Sequence, residues 1–172
     1  MNTPRSIRDR ESYPAQRGVV DSPLGPIAFA TDDESVIGIW LGRAQKPDAR
    51  LKGIARDARD QLREYLKGKR RVFDLPLAFD LAPFTARVLA EVEGIPWGET
   101  KSYGEVAKLV GSPGAARAVG QAMGKNPIPI VIPCHRVVAA QRKIGGFTGG
   151  MQWKEYLLHQ EGWQSSGSTF DV

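Results

Sequence analysis

Residues 129–136, Pro-Ile-Val-Ile-Pro-Cys-His-Arg, set the chain's only cysteine, Cys134, beside His135, one of its two histidines. A thiol attacks as its thiolate, and a neighbouring imidazole is the common agent that favours that form. Pro129 and Pro133 bound the apolar run leading into Cys134, a setting that should hold the thiol rigidly in a largely dry site. An isolated free cysteine is as a rule a small buried hydrophobe. The adjacent His135 and the cationic Arg136 weigh toward a nucleophile, as does the segment upstream.

That segment, Ala115-Ala116-Arg117-Ala118-Val119-Gly120-Gln121-Ala122-Met123-Gly124, reads as a helix of small residues with one long cation. It follows Ser102-Tyr103-Gly104-Glu105, a capping box that opens a short helix running to Leu109-Val110 and ending at Gly111. Two short helices joined by a Gly-containing turn, Ser112-Pro113-Gly114, predict a helix-turn-helix. A major-groove reader needs several long polar side chains, and this second helix lacks them. Two readings stay open. The Ala/Gly face packs on another helix and leaves Arg117 at the surface, or the thin helix presses on a widened minor groove while Arg117 wedges between bases. An enzyme acting on a base must extract it from the stack.

The elements that position these residues follow from periodicity and turn chemistry. VVDS, PIAFAT and SVIGIWL read as strands separated by SPLG and DDES turns. Residues 49–67 predict a helix with Leu51, Ile54, Ala55, Ala58, Leu62, Tyr65 and Leu66 on one stripe. Its other face is rich in Arg and Lys, the pattern of a solvated face. Gly68 ends it, and KRRVFDLPLAF leads to a short strand and a linker near Ala82-Pro83. Phe84–Glu93 is a helix, Asn126-Pro127 breaks the one before the apolar run, and a final helix spans Met151–Gln160. His159 reads as an exposed helix residue, and the four tryptophans as core or lid aromatics rather than base-stacking platforms.

Composition narrows the classes. At 172 residues, 41% hydrophobic and 25% charged, the chain has an ordinary soluble composition. One cysteine excludes an internal disulfide and a multi-cysteine zinc site, and suits the reducing cytoplasm. The first residues have no apolar core for a secretory signal, and no segment reaches the roughly 20 apolar residues of a membrane helix. A net charge of +5 permits nucleic-acid binding without proving it. Residues 1–94 hold 16 basic and 14 acidic side chains and 95–172 hold 8 and 5, so the excess is mild in both parts. No cofactor motif is present, and no metal is expected.

SYGEVAKLVG, AARAVGQAMGKNPIPIVIPCHRVV, GGFTGG and KEYLLHQEG resemble the O6-alkylguanine-DNA alkyltransferases, also called methylated-DNA–protein-cysteine methyltransferases. The likeness is close over residues 83–162 and looser over 19–80. It implies a small antiparallel sheet with a helix (RNase H-like) at 17–82, then a mostly helical, winged helix-turn-helix domain at 83–163, flanked by flexible tails at 1–16 and 164–172. It also implies a single-turnover repair protein that flips O6-alkylguanine out of duplex DNA and moves the alkyl group onto its own cysteine. Cys134 falls on the acceptor, His135 on the proton relay through water, and Glu161 on the carboxylate that orients the histidine. Asn126 falls on the residue that ties the turn beside the recognition helix. Tyr103 falls on the tyrosine beside the flipped base, a proton donor to guanine N3, and Arg117 on the finger that fills the vacated stack. Ala116, Ala118, Gly120 and Arg136 are expected at the DNA, and Met123, Val137, Phe147 and Thr148 around the base. Phe147 stands where many members have tyrosine and Thr148 where many have serine, so the aromatic wall and the hydroxyl are kept and a phenol is lost. Duplex DNA bearing O6-alkylguanine is the implied partner, with O4-alkylthymine a second candidate lesion and a monomer expected away from DNA.

Three other readings compete with this one. A helix-turn-helix regulator explains the paired helices and leaves the PCHR motif without a task. A cysteine hydrolase needs an oxyanion hole, for which no distinct signal exists. A non-catalytic lesion binder of the same fold lacks the cysteine that is present here.

Overall fold

Short apolar runs punctuated by turns build the first unit. The computed structural model describes residues 15–165. Within them β1 (Gln16–Val20), β2 (Ile27–Thr31) and β3 (Val36–Leu41) form an antiparallel sheet in that order, with a register irregularity between Ala30 and Thr31. The turn after β1 closes as Ser22 Oγ donates to the Gly25 carbonyl (2.6 Å) and accepts from Leu24 N–H (3.2 Å). The turn after β2 closes on Asp32, whose Oδ1 accepts from the Glu34 and Ser35 N–H groups at 2.9 and 2.7 Å. Gly18 is required: a Cβ there would sit 2.0 Å from Phe29 Cζ, because the Phe29 ring crosses the neighbouring strand.

Helix α1 (Gly53–Leu66) covers the sheet with Ala55, Ala58, Leu62 and Tyr65 buried. It starts at Gly53 rather than 49, since Lys52 is extended and gives its N–H to Gln16 Oε1 at 2.9 Å. The strand expected after α1 is reduced to one parallel bridge, Val36 to Leu77. Pro76 accepts from Val36 N–H (2.8 Å) but has no N–H with which to extend a ladder. Trp40 departs from the core expectation: it is exposed, with the Arg43 guanidinium 5.3 Å from its ring centroid.

The described residues divide into two compact units, 15–81 with Pro127–Pro129, and Ala82–Asn126 with 130–165. Pro127–Pro129 joins the first unit because Ile39 N–H donates to the Pro127 carbonyl (2.9 Å). The tails expected at 1–16 and 164–172 lie outside the described residues, apart from 15, 16, 164 and 165, and Gln16 already belongs to β1.

The second unit is mainly helical. Helix α2 (Pro83–Glu93) begins with proline, where a missing N–H costs nothing, and buries Thr85, Val88, Leu89 and Val92. β4 (Lys101–Ser102) runs into α3 (Tyr103–Leu109) through the expected capping box: Ser102 Oγ accepts from Glu105 N–H (3.2 Å) and Glu105 Oε2 accepts from Ser102 N–H (2.7 Å). Gly111, at φ 74°, turns the chain toward α4 (Ala116–Met123), and α2, α3 and α4 pack on one another. β5 (Val137–Val138) pairs in parallel with β4, Lys101 opposite Val137 and Ser102 opposite Val138. That pairing draws the residues just after Cys134–Arg136 alongside the start of α3. Helix α5 (Met151–Gln160) closes the unit, and Gly162 at φ 81° returns the chain to Trp163, which packs with Val138, Leu158 and Ile144. No helix among the described residues is long and apolar enough to cross a membrane.

Candidate active site

The approach to the cysteine is held in a costly backbone shape. Ile130 sits at φ 75°, a left-handed conformation that a β-branched residue adopts at a cost of about 1–3 kcal/mol. Burial of its side chain offsets that cost, and Ile130 and Ile132 are both essentially fully buried. Asn126 fastens the end of the turn, its Nδ2 donating to the Ile132 carbonyl at 2.9 Å. Cys134, His135 and Arg136 then form a single 3-10 turn, all three buried.

Behind this turn lies a tight ionic cluster. His135 Nε2 is 2.9 Å from Glu161 Oε1. Arg136 approaches the same carboxylate with two prongs, Nε to Oε2 at 2.8 Å and Nη2 to Oε1 at 2.9 Å. Gly98 N–H adds a contact to Oε2 at 3.3 Å, and Arg136 Nη1 donates to the Ile95 carbonyl. Burial alone would raise the Glu161 pKa, but the hydrogen bonds from His135 and Arg136 and the Arg136 charge outweigh it and bring it down to about 2. Glu161 is therefore an anion at neutral pH. Burial lowers the His135 pKa despite Glu161, which leaves the imidazole neutral. With Nε2–H donated to Glu161, Nδ1 carries the lone pair.

Cys134 itself is pushed up to about 11, first by burial, with the Asn126 hydrogen bond and the Lys154 charge pulling the other way. At rest the sulfur is a thiol. Its proton must leave as the sulfur attacks, and a neutral histidine held by an anion is a suitable acceptor.

Arg136 corrects an expectation. The resemblance puts it at the DNA, but its guanidinium is buried and used by Glu161 and Ile95. A planar fork of donors suits a carboxylate held in the interior, and burial there keeps it from a phosphate outside.

Tyr103, at the first turn of α3, is half-buried, and its hydroxyl donates to the Gly146 carbonyl at 3.1 Å. Burial and then the nearby Cys134 raise its pKa, so it keeps its proton. Its ring is flanked by glycines. A Cβ at Gly145, where φ is 72°, would lie 3.1 Å from Tyr103 Cε2, and one at Gly120 would lie 3.8 Å from Cε1.

Lys154 is the residue that sequence reasoning missed. It is fully buried on α5, and its Nζ donates to the carbonyls of Val137 (2.6 Å) and Gly146 (3.0 Å) while lying 5.7 Å from the Tyr103 ring centroid. Burial lowers its pKa to about 8, against the pull of Cys134. A signal existed: Lys154 falls on the inward stripe of its helix with Trp153, Leu157 and Leu158.

On α4, Val119 and Ala122 face inward, Ala116, Ala118, Gly120 and Met123 are half-buried, and Arg117 is exposed. One apolar face of this helix is thus packed, and Arg117 projects from a surface of small residues. Val137 is fully buried, Phe147 half-buried and Thr148 exposed, with Thr148 Oγ1 3.2 Å from where a Gly124 Cβ would stand. His159 is exposed, as expected.

Comparison with known proteins places this geometry. The family model described as the DNA binding domain of 6-O-methylguanine DNA methyltransferase matches residues 83–163, and the ribonuclease-like domain of the same family matches 16–79. A methylated-DNA–protein-cysteine methyltransferase of Methanosarcina acetivorans is 40% identical over 150 residues, covering 84% of this chain and 96% of that relative. The constitutive enzyme of that name from Bacillus subtilis is 35% identical, over 82% of this chain and 92% of its own. Among solved structures, Mycobacterium tuberculosis OGT in complex with DNA is similar at 39% identity and a TM-score of 0.76, over 84% of this chain and 91% of that one. With both halves of the chain matched in order, and relatives aligned along nearly their whole length, the chain belongs to the methylated-DNA–protein-cysteine methyltransferase family.

Proposed function

We propose that this protein repairs duplex DNA directly, taking the alkyl group of O6-alkylguanine onto Cys134 once and permanently. One observation carries the reading: a buried thiol lies next to a neutral histidine whose far nitrogen meets a carboxylate locked as an anion by Arg136. A regulator that only bound DNA would have no use for that relay.

Arg117, exposed on α4, fills the place of the extruded base, while Ala116, Ala118 and Gly120 let the helix approach the groove. The flipped base lies among Met123, Val137, Phe147 and Thr148, where the Thr148 hydroxyl can meet the guanine oxygen. The Cys134 sulfur attacks the alkyl carbon as the carbon–oxygen bond breaks. The thiol proton passes through a bridging water to His135 Nδ1, and Glu161 stabilises the imidazolium. Tyr103, its hydroxyl kept protonated by burial, trades the Gly146 carbonyl for guanine N3 and gives the leaving base a proton. Solvent afterwards removes the proton on His135 and restores the one on Tyr103. Asn126 and Lys154 keep the Cys134 turn and the 145–150 loop in register.

The product is a thioether, which offers no carbonyl for water to attack, so turnover stops. Residues 83–163 supply the DNA-binding and catalytic part, and 17–82 the supporting N-terminal domain. The reading includes a monomer in the cytoplasm, where thiols stay reduced, with no cofactor. The test is a count of lesions removed from a large excess of O6-methylguanine duplex. A plateau at one per chain is expected, and continued removal would point to a hydrolytic enzyme.

A further inference from the structure

Residues 50–71 hold nine Lys and Arg against three Asp and Glu, a net of +6 in a chain whose total is +5. The remaining 150 residues are therefore close to neutral. The helix-turn-helix unit carries only a small excess: residues 82–165 hold nine basic and six acidic side chains, of which Arg136, Lys154 and Glu161 are buried.

The charge on α1 is also sorted. At about 100° per residue, Lys52, Arg56, Arg59, Arg63 and Lys67 fall within an arc of about 80°. Asp57, Asp60 and Glu64 lie along one flank of that arc, and the buried residues Ala55, Ala58, Leu62 and Tyr65 lie on the far side. The flanking acids are met by cations: Arg59 to Asp60 at 2.8 Å, Arg70 to Glu64 at 2.7 Å, and Arg56 to Asp57 at 3.6 Å. Arg63 and Lys67 are exposed and make no ion pair among the described residues. Gly68, at φ 68°, then turns the chain, and Lys69, Arg70 and Arg71 follow it in sequence. From Lys52 to Lys67 the ridge is about 22 Å long, the axial length of about six base pairs.

We propose that this ridge is a second contact surface for duplex DNA, holding phosphates without reading sequence, in addition to the helix-turn-helix. The inference rests on the repair function proposed above, because it takes duplex DNA as the partner. A protein that neutralises Z phosphates releases their counterions, and its log affinity falls with log salt at a slope of about −0.9Z. Z counts the cations that meet phosphates, so the ridge adds its own share to the slope that the helix-turn-helix unit supplies.

The full chain and the triple variant R56Q/R63Q/K67Q would be titrated with an undamaged duplex of about 30 base pairs from about 50 to 200 mM salt. The variant should bind at least about tenfold more weakly at the lowest salt, with a slope shallower by about 2–3. Its reaction with free O6-benzylguanine should be unchanged, and R56K/R63K/K67R should keep wild-type binding. A slope and affinity equal to wild type would overturn the proposal and leave α1 with a solvated face alone, or with an acidic protein as its partner. That outcome with normal alkylation refutes the ridge and spares the repair function, whereas a wild-type chain that binds DNA but is never alkylated does the reverse.

Discussion

Arg136 and Glu161 meet in a buried, two-pronged ion pair, at 2.8 and 2.9 Å, and His135 shares one of the same carboxylate oxygens at 2.9 Å. Glu161 is thereby held by three side-chain hydrogen bonds and the Gly98 N–H, which fixes both its position and its charge. Removing one partner leaves a buried charge unpaired, and such losses typically cost about 3–5 kcal/mol. Arg136→Ala should therefore lower the melting temperature by about 6–20 °C, since a chain of this size loses about 2–4 °C per kcal/mol. Arg117→Ala, at an exposed position, should leave it nearly unchanged. A thermal melt of both variants checks the pair.

The same carboxylate sets a pH dependence. The folded-state pKa of Glu161 is lowered from 4.5 to about 2, so its stabilisation is complete above 4.5 and is lost as pH falls toward 2. Glu161→Gln should be less stable at neutral pH and should converge toward wild type across that acid window. Denaturant melts at several pH values measure this, and parallel curves would refute it.

Lys154 gives a prediction for the reaction. Its positive charge favours the Cys134 thiolate and is lost as pH rises through about 8. The rise of the single-turnover rate with pH, measured with free O6-benzylguanine, should therefore level off past that pH, because loss of the charge offsets the growing thiolate fraction. Lys154→Met should be slower at neutral pH and should lack that alkaline limb. An unaltered alkaline limb in the variant would assign it to another group.

Gly145 and Gly146 make a contrasted pair. At Gly145 a Cβ would approach the Tyr103 ring at 3.1 Å and the Ala139 nitrogen at 3.2 Å, at a positive φ, whereas at Gly146 nothing lies within 4 Å. Gly145→Ala should displace Tyr103, slow transfer and cost stability of about 1 kcal/mol or more. Gly146→Ala should be close to neutral in both assays.

Arg117→Ala separates base extrusion from chemistry. It should weaken reaction with O6-methylguanine in duplex DNA far more than reaction with free O6-benzylguanine, because only the duplex has a stack to restore. Equal losses on both substrates would make Arg117 a structural residue.

Much of this was legible in the sequence because it is local. The capping box at Ser102 and Glu105, the ends of α5 and the turn residues of the sheet depend on neighbours within four positions, and each forms as expected. The fourth strand was not, because its ladder stops at Pro76 and depends on a partner, Val36, forty residues away. Arg136 was misplaced for a similar reason. A cation beside a nucleophile reads as a DNA contact until the fold brings Glu161 and Ile95 to its guanidinium. Lys154 could be flagged from its place on an apolar stripe, but its two carbonyl partners come from the packing of α5 against β5 and the 145–150 loop.

The alkylated protein should be less stable than the free one. Cys134 is almost fully buried, and a group added to a packed interior costs about 1–3 kcal/mol. Reaction with O6-benzylguanine should lower the melting temperature by several degrees, and more than methylation does. An unchanged or raised midpoint would show that the site accepts the adduct without strain.

The most direct test of the central claim is the intact mass of the protein, followed by peptide mapping, after reaction with a duplex containing O6-methylguanine. Every chain should gain the mass of one CH2, confined to the peptide that carries Cys134, and Cys134→Ala should gain none. A second methyl per chain, a methyl on another residue, or repair by unmodified protein would contradict it.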